Sequence, residues 1–296
     1  MANIIAYAKN FASVLDEKFE AESVTKFFED PALKAKFVGV KEVIISEEDM
    51  SGLGNYDRNT GYPKGAITVT QEVYKLEKDR AKTFSLDRMD ADESGVADMA
   101  GGLMGRFVKK KVVPEADTYV ISKIANVAKT KAQTVAWNAD SPVKVFEGML
   151  AGVQDAVGYN EEIICFLDAT AFSALKASPE FYRNINVSEF KKGEINTTIR
   201  KIDNVTIIPV KSDRMKDFIE FKDDEAGGYS TEGAKDVHML MLPKDAAHLV
   251  KKTEKIRVFS PDENQEMDAY KFDYRIYYDV FVKKSELEGV WASFGV

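Results

Sequence analysis

Residues 41 to 87 constrain the fold more than any other part of the chain. Val43 and Ile45 precede, and Ile67, Val69 and Val73 follow, the turn-rich segment Ser51 to Gly65, and both flanks alternate apolar with polar residues. That two-residue period is the pattern of a strand with one apolar face. The segment between them holds four glycines, two asparagines and Pro63, the composition of a chain reversal in which some residues take positive φ. A long hairpin is expected. At ~3.3 Å per residue, an arm of about ten residues reaches on the order of 30 Å, and a lone two-stranded ribbon is marginal in water. Such an arm either lies on a partner or pairs into the chain's own sheet, and the residues leave both open.

The rest of the chain supplies what the hairpin can be attached to. Residues Phe11, Leu15 and Phe19 at four-residue spacing predict a short amphipathic arm whose thin apolar stripe packs on something other than its sequence neighbours. From Asp92 the positions Val96, Met99, Ala100, Leu103, Met104, Phe107 and Val108 form a helical stripe. Val112-Val113-Pro114 is expected to interrupt it, with Pro114 starting a second helix that carries Tyr119, Val120, Ile124 and Val127. From Ser141 the pattern turns α/β: a helix from Ser141-Pro142 to about Gly158, a strand Ile163 to Leu167, and a helix capped by Asp168 ending near Ser178. Further strands are expected at Val205 to Val210, Val237 to Leu242 and Ile256 to Val258, with a short helix from Pro243 to Val250. An alternating stretch from Met267 to Val282 predicts an unusually long strand that pairs with distant parts of the chain. With 296 residues, one large or two moderate domains are expected.

Chemistry is hard to place. The two histidines, His238 in a strand and His248 in the expected short helix, have no metal-binding spacing. No G-x-S-x-G elbow is present, and Ser230 lies in the glycine-rich loop Gly228 to Thr231 with no identifiable base. Gly61 to Gly65 lacks the G-K-[ST] end of a phosphate-binding loop, and Gly52-Leu53-Gly54 lacks the third glycine and the strand-to-helix context of a dinucleotide-binding turn. Asp90-Ala91-Asp92-Glu93-Ser94-Gly95 opens like a calcium loop, but position twelve is Gly101, and helix capping accounts for the same acids. No catalytic residue, cofactor or metal is therefore expected, and the chain is read as a non-enzyme. A net charge of −8 opposes a nucleic-acid reader, and Lys109-Lys110-Lys111 is read as a solvated helix end. The single Cys165 sits in an apolar strand, which fits a buried thiol in a reducing compartment. Without an apolar run of about 18 residues, no membrane partner is expected and the cytoplasm is the expected place of synthesis.

The order of these parts resembles the capsid proteins of tailed bacteriophages with the Hong Kong 97-like fold. Tyr7, Leu15 to Phe19 and Glu22 to Thr25 resemble that family's N-terminal arm, and Asp79-Arg80, Phe84, Asp87, Asp90 and Glu93 its hairpin exit. Pro114 to Tyr119 followed by Ser122 to Ala125 looks like its second helix, with phages of Gram-positive hosts as the nearest likeness. The resemblance implies an α+β chain with an arm at residues 1–40, an extended hairpin (E-loop) at 41–90 and an α/β A-domain at 136–252. A P-domain of spine helix and long strands would take 91–135 and 253–296. It implies assembly into an icosahedral shell through pentamers and hexamers, with Tyr56, Asp57, Arg58 and Tyr62 at the hairpin tip and Asp79 and Arg80 at its exit as interface groups. Packaged double-stranded DNA held without sequence-specific binding, a separate scaffolding protein, a portal and a decoration protein are the implied partners, and the virion is the implied location. The related alternative is an encapsulin-like nanocompartment enclosing enzyme cargo. An α/β enzyme built on residues 140 to 260 is the reading from a different class.

Overall fold

The computed structural model describes residues 23–29, 37–38, 42–59, 61–89, 100–178, 186–192, 195–202, 204–223 and 226–295. The stripe Phe11, Leu15 and Phe19, the helix start at Asp92 and the loop Asp90 to Gly95 lie outside them.

The hairpin forms as its alternation predicts. β2 (Glu42–Met50) and β3 (Ile67–Lys75) pair antiparallel from Glu42↔Lys75 to Met50↔Ile67, with β1 (Phe37–Val38) adding two residues at the base. β4 (Lys78–Asp87) then leaves the hairpin and pairs along its whole length with β14 (Ala269–Val282), whose other edge is β13 (Ala247–Phe259). β13 corrects two expectations. The helix expected at Pro243 to Val250 is absent, and Ile256 to Val258 is not a separate strand. Ala246, Ala247, Leu249 and Val250 suit either period, and pairing of Ala247–Phe259 with β14 settles the backbone as strand, placing His248 in it.

Helix α1 (Ala100–Phe107) runs into a π-helical turn at Val108–Val112 and on into α2 (Val113–Thr130). The expected interruption at Val112 to Pro114 is thus a widened turn inside a continuing helix. Pro114 has no N–H to donate and its ring crowds the carbonyl four residues back. The wide turn relieves this, with Val113 N–H donating to the Val108 carbonyl five residues earlier. It also resets the buried face: Met104 and Val108 lead to Val113, Ala116, Val120 and Ile124, all buried.

The second layer is a seven-stranded sheet in the order β5 (Thr134–Ala136), β15 (Trp291–Phe294), β12 (Val237–Pro243), β6 (Ile163–Leu167), β9 (Val205–Pro209), β8 (Ile195–Ile202), β7 (Asn186–Lys192). Only β15–β5 and β6–β9 are parallel. Trp291–Phe294, grouped above with the long strands, belongs to this sheet. β6 is buried on both faces, and its side chains divide by parity. Ile164 and Phe166 join the core built on α2, whereas Ile163, Cys165 and Leu167 join the core under α3 (Pro142–Val157) and α4 (Ala169–Ala177). The α2 core continues into Phe272, Tyr274, Ile276, Tyr278 and Val280 of β14, so α2 is wedged between the two sheets. Local signals hold for the helices here: Gly158 ends α3 at φ 91°, and the Asp168 carboxylate accepts from Ala171 N–H at 2.6 Å to cap α4.

Candidate assembly surface

Among the described residues, the core packing of the hairpin gathers at its base. Val43 and Leu76 pack with Val250, Tyr277 and Phe281, Tyr277 Oη donates to the Leu76 carbonyl at 2.9 Å, and the Tyr74 and Phe281 rings lie 4.8 Å apart. The buried Glu72 carboxylate accepts from Tyr74 Oη and pairs with Lys284 Nζ at 2.6 Å. Further out, Met50, Ile67, Val69 and Val73 are 62, 69, 56 and 52% exposed. Met50 faces Ile67 across the pair, and Ile67, Val69 and Val73 are two and four residues apart, so these four side chains share one face. A sheet face of that composition is normally covered.

The tip is an organised loop. Asp57 and Gly61 exchange backbone hydrogen bonds, Asp57 Oδ1 accepts from Asn59 N–H at 2.8 Å, and Gly61 takes φ 81°. The Tyr56 and Tyr62 rings meet edge to face at 5.2 Å, and Gly54 lies so close to Pro63 that a Cβ would come within 2.9 Å of its ring. Tyr56, Asp57, Arg58 and Tyr62 therefore sit together, with Leu53 fully exposed beside them in sequence. The sequence located the tip, but the exposed stripe behind it was legible only as alternation, without its degree of exposure.

Asp79 and Arg80 lie elsewhere, on β4, and both have partners within the chain. Arg275 binds Asp79 through two hydrogen bonds of 2.5 and 2.8 Å. Arg80 donates to Glu115 at 3.0 Å, to Asp223 at 3.3 Å, and to the carbonyls of Lys222 and Gly228, with its guanidinium over Phe221. Burial pushes the Glu115 carboxyl above the usual carboxylate range, against the pull of the Arg80 cation. This clamp joins β4 and α2 to a small hairpin of β10 (Glu220–Phe221) and β11 (Tyr229–Ser230), so Ser230 lies in a short strand and not in the expected loop.

Residues 23–29 form a strap across the same core. The Asp117 carboxylate, fully buried on α2, accepts from Ser23 Oγ and Thr25 Oγ1 at 2.8 Å each, from Val24 and Thr25 N–H, and from Arg214 at 2.8 Å. Phe28 is buried 5.7 Å from the Phe166 ring, and Glu29 pairs with Lys251. This part of the predicted arm packs on its own chain. Nothing in Pro114 to Tyr119 marks Asp117 as a buried anchor, because a helical aspartate is ordinarily solvated.

The other titratable groups singled out above sit in structural settings. His238 Nδ1 lies 3.0 Å from Asp168 Oδ2 and its ring against Trp137, but Asp168 is already the cap of α4. Burial pushes the Cys165 thiol far up, which leaves it unreactive. Among the described residues no group of three or more His, Cys, Asp and Glu could hold a metal ion, and no helix is long and apolar enough to cross a membrane. Lys109, Lys110 and Lys111 are exposed but lie in the π turn, mid-helix, and not at a helix end.

No protein-family model and no curated protein sequence matches the chain. Solved structures do. A structure from Mycobacterium phage Che8 superposes with a TM-score of 0.58 at 13% identity, covering 92% of this chain and 90% of that one. The asymmetric unit of the bacteriophage PhiM1 mature capsid gives 0.53 at 13% identity, covering 87% and 82%. A virus-like particle from Pyrococcus furiosus gives 0.53 at 12% identity, covering 97% and 99%. Over most of its length, the chain has the phage capsid fold.

Proposed function

We propose that this chain is a major capsid protein, a structural subunit without catalytic activity that assembles through pentamers and hexamers into an icosahedral shell enclosing double-stranded DNA. The observation that carries the reading is the exposed apolar stripe Met50, Ile67, Val69 and Val73, which sits on a hairpin whose base packs against Val250, Tyr277 and Phe281. The stripe and the tip around Tyr56, Asp57, Arg58 and Tyr62 are the surfaces a neighbouring subunit would cover, through contacts that repeat head to tail and close into a shell. Asp79 and Arg80 serve the interface by holding β4 and its neighbours in place. A separate scaffolding protein, a portal and a decoration protein complete the proposed assembly, with the virion as its location and the host cytoplasm as the place where it forms.

The likeness to the Pyrococcus furiosus particle, which covers nearly all of both chains, favours a second reading: a nanocompartment shell that encloses protein cargo. Negative-stain electron microscopy with light scattering on the purified chain tests both. Hollow shells or rings of five and six support assembly, and co-purifying nucleic acid or cargo protein separates the two. A chain that stays monomeric with and without its co-purifying partners overturns both.

A further inference from the structure

The helical stretch between α1 and α2 carries Arg106, Lys109, Lys110 and Lys111, four exposed cations within six residues of a chain whose net charge is −8. The π turn is what exposes the three lysines together. Val108 and Val113, five residues apart, are the buried positions flanking it, and of the residues between them only Val112 is even half-buried. Lys111 and the nearby Arg80 line one cavity, where Arg80 is paired with Glu115 and Asp223.

The surroundings indicate the partner. Lysine is depleted at protein interfaces, whose centres are apolar or aromatic, and no large exposed apolar side chain lies anywhere on residues 104 to 130. A row of exposed lysines without apolar anchors suits a polyanion, which it binds by displacing counterions. We infer that the π turn is a sequence-independent contact for the phosphate backbone of enclosed nucleic acid. The inference rests on the capsid reading and adds to it which face of the subunit meets the contents. The net negative charge keeps that contact weak, so it tethers without reading sequence.

The test is the salt dependence of binding of a short fluorescent DNA duplex to the full-length chain between about 50 and 200 mM salt. The triple substitution Lys109→Gln, Lys110→Gln, Lys111→Gln is expected to make the log-log slope about 2 to 3 units less steep and to weaken low-salt binding at least about tenfold. Two comparisons guard the result. Arginine at the same three positions should retain binding. Glutamine at the exposed Lys131, Lys144 and Lys211, an equal change in charge at a distant place, should leave it within about twofold. Equal losses from both glutamine triples, or failure of the arginine variant to bind, overturn the inference. Shells from a wild-type chain that does not bind the duplex also overturn it and leave the assembly reading standing. Duplex binding, lost in the Lys109 to Lys111 glutamine triple, by a chain that never forms particles supports the phosphate contact and overturns the assembly reading alone.

Discussion

Ser23 Oγ donates a 2.8 Å hydrogen bond to Asp117 Oδ1 across 94 residues of chain. It is one of five contacts through which a single buried carboxylate holds both the strap and Arg214. Replacing Asp117 with alanine strands the Arg214 cation and two hydroxyls, and the expected cost is about 3 to 5 kcal/mol. Ser23→Ala and Thr25→Ala should each cost about 1 kcal/mol. Urea midpoints at constant m-value measure all three, and an Asp117→Ala loss no larger than that of Ser23→Ala would show that the strap is not anchored there.

The interface groups divide by where they sit. Tyr56→Ala and Tyr62→Ala disturb only the exposed tip, so subunit stability should stay within about 0.5 kcal/mol while particle formation followed by light scattering is lost or slowed. Arg80→Ala should behave in the opposite way, losing about 2 kcal/mol of stability because Glu115 is left half-buried without its cation. Equal stability losses at tip and clamp would contradict the division.

Gly152 on α3 lies against Trp291, and a Cβ there would approach the indole ring to 2.4 Å. Gly152→Ala raises helix propensity by about 1 kcal/mol, whereas forcing a rigid ring aside costs about 1 to 3 kcal/mol. The clash should win, and thermal unfolding should show a net loss. A gain would mean that Trp291 moves freely.

Glu162 accepts from Lys244 at 2.9 Å and from Lys201 at 3.0 Å, and these hydrogen bonds hold its carboxyl below the ordinary 4.5. Because the folded value is the lower one, the stability it contributes is present above about pH 4.5 and lost as the pH falls through the folded value. The pair is partly exposed, so the effect should not exceed about 1 kcal/mol. Glu162→Gln should therefore match wild type at acid pH and fall slightly below it at neutral pH in chemical unfolding. A constant gap across that range would rule out this linkage.

Much of the architecture was present in local pattern. The alternation around Val43, Val69 and Val73, the glycine-rich segment between them, Pro142 and Gly158 around α3 and the Asp168 cap are near-neighbour effects, governed by φ, capping and side-chain period. Tyr56, Asp57, Arg58 and Tyr62 could be grouped for the same reason, since one tight loop contains them all. The expected helix at Pro243 to Val250 failed because its apolar spacing suits two periods, and only β14 as a neighbour settles which is used. The widened turn before Pro114 also escaped local reading. A proline can end a helix or be absorbed by it, and burial of the side chains on both sides of Val108–Val112 keeps this one continuous.

The sequence by itself determined the long hairpin with its glycine-rich turn and the capped helices α3 and α4, because those features depend on residues a few positions apart. Only the tertiary structure decided that Asp117 is a buried anchor, that Asp79 and Arg80 are engaged within the chain while Tyr56 and Tyr62 are exposed, and that Met50, Ile67, Val69 and Val73 are exposed among the described residues. Burial and partnership depend on which distant segments meet, and Ser23 with Asp117 or Arg80 with Glu115 carry no local mark of the meeting.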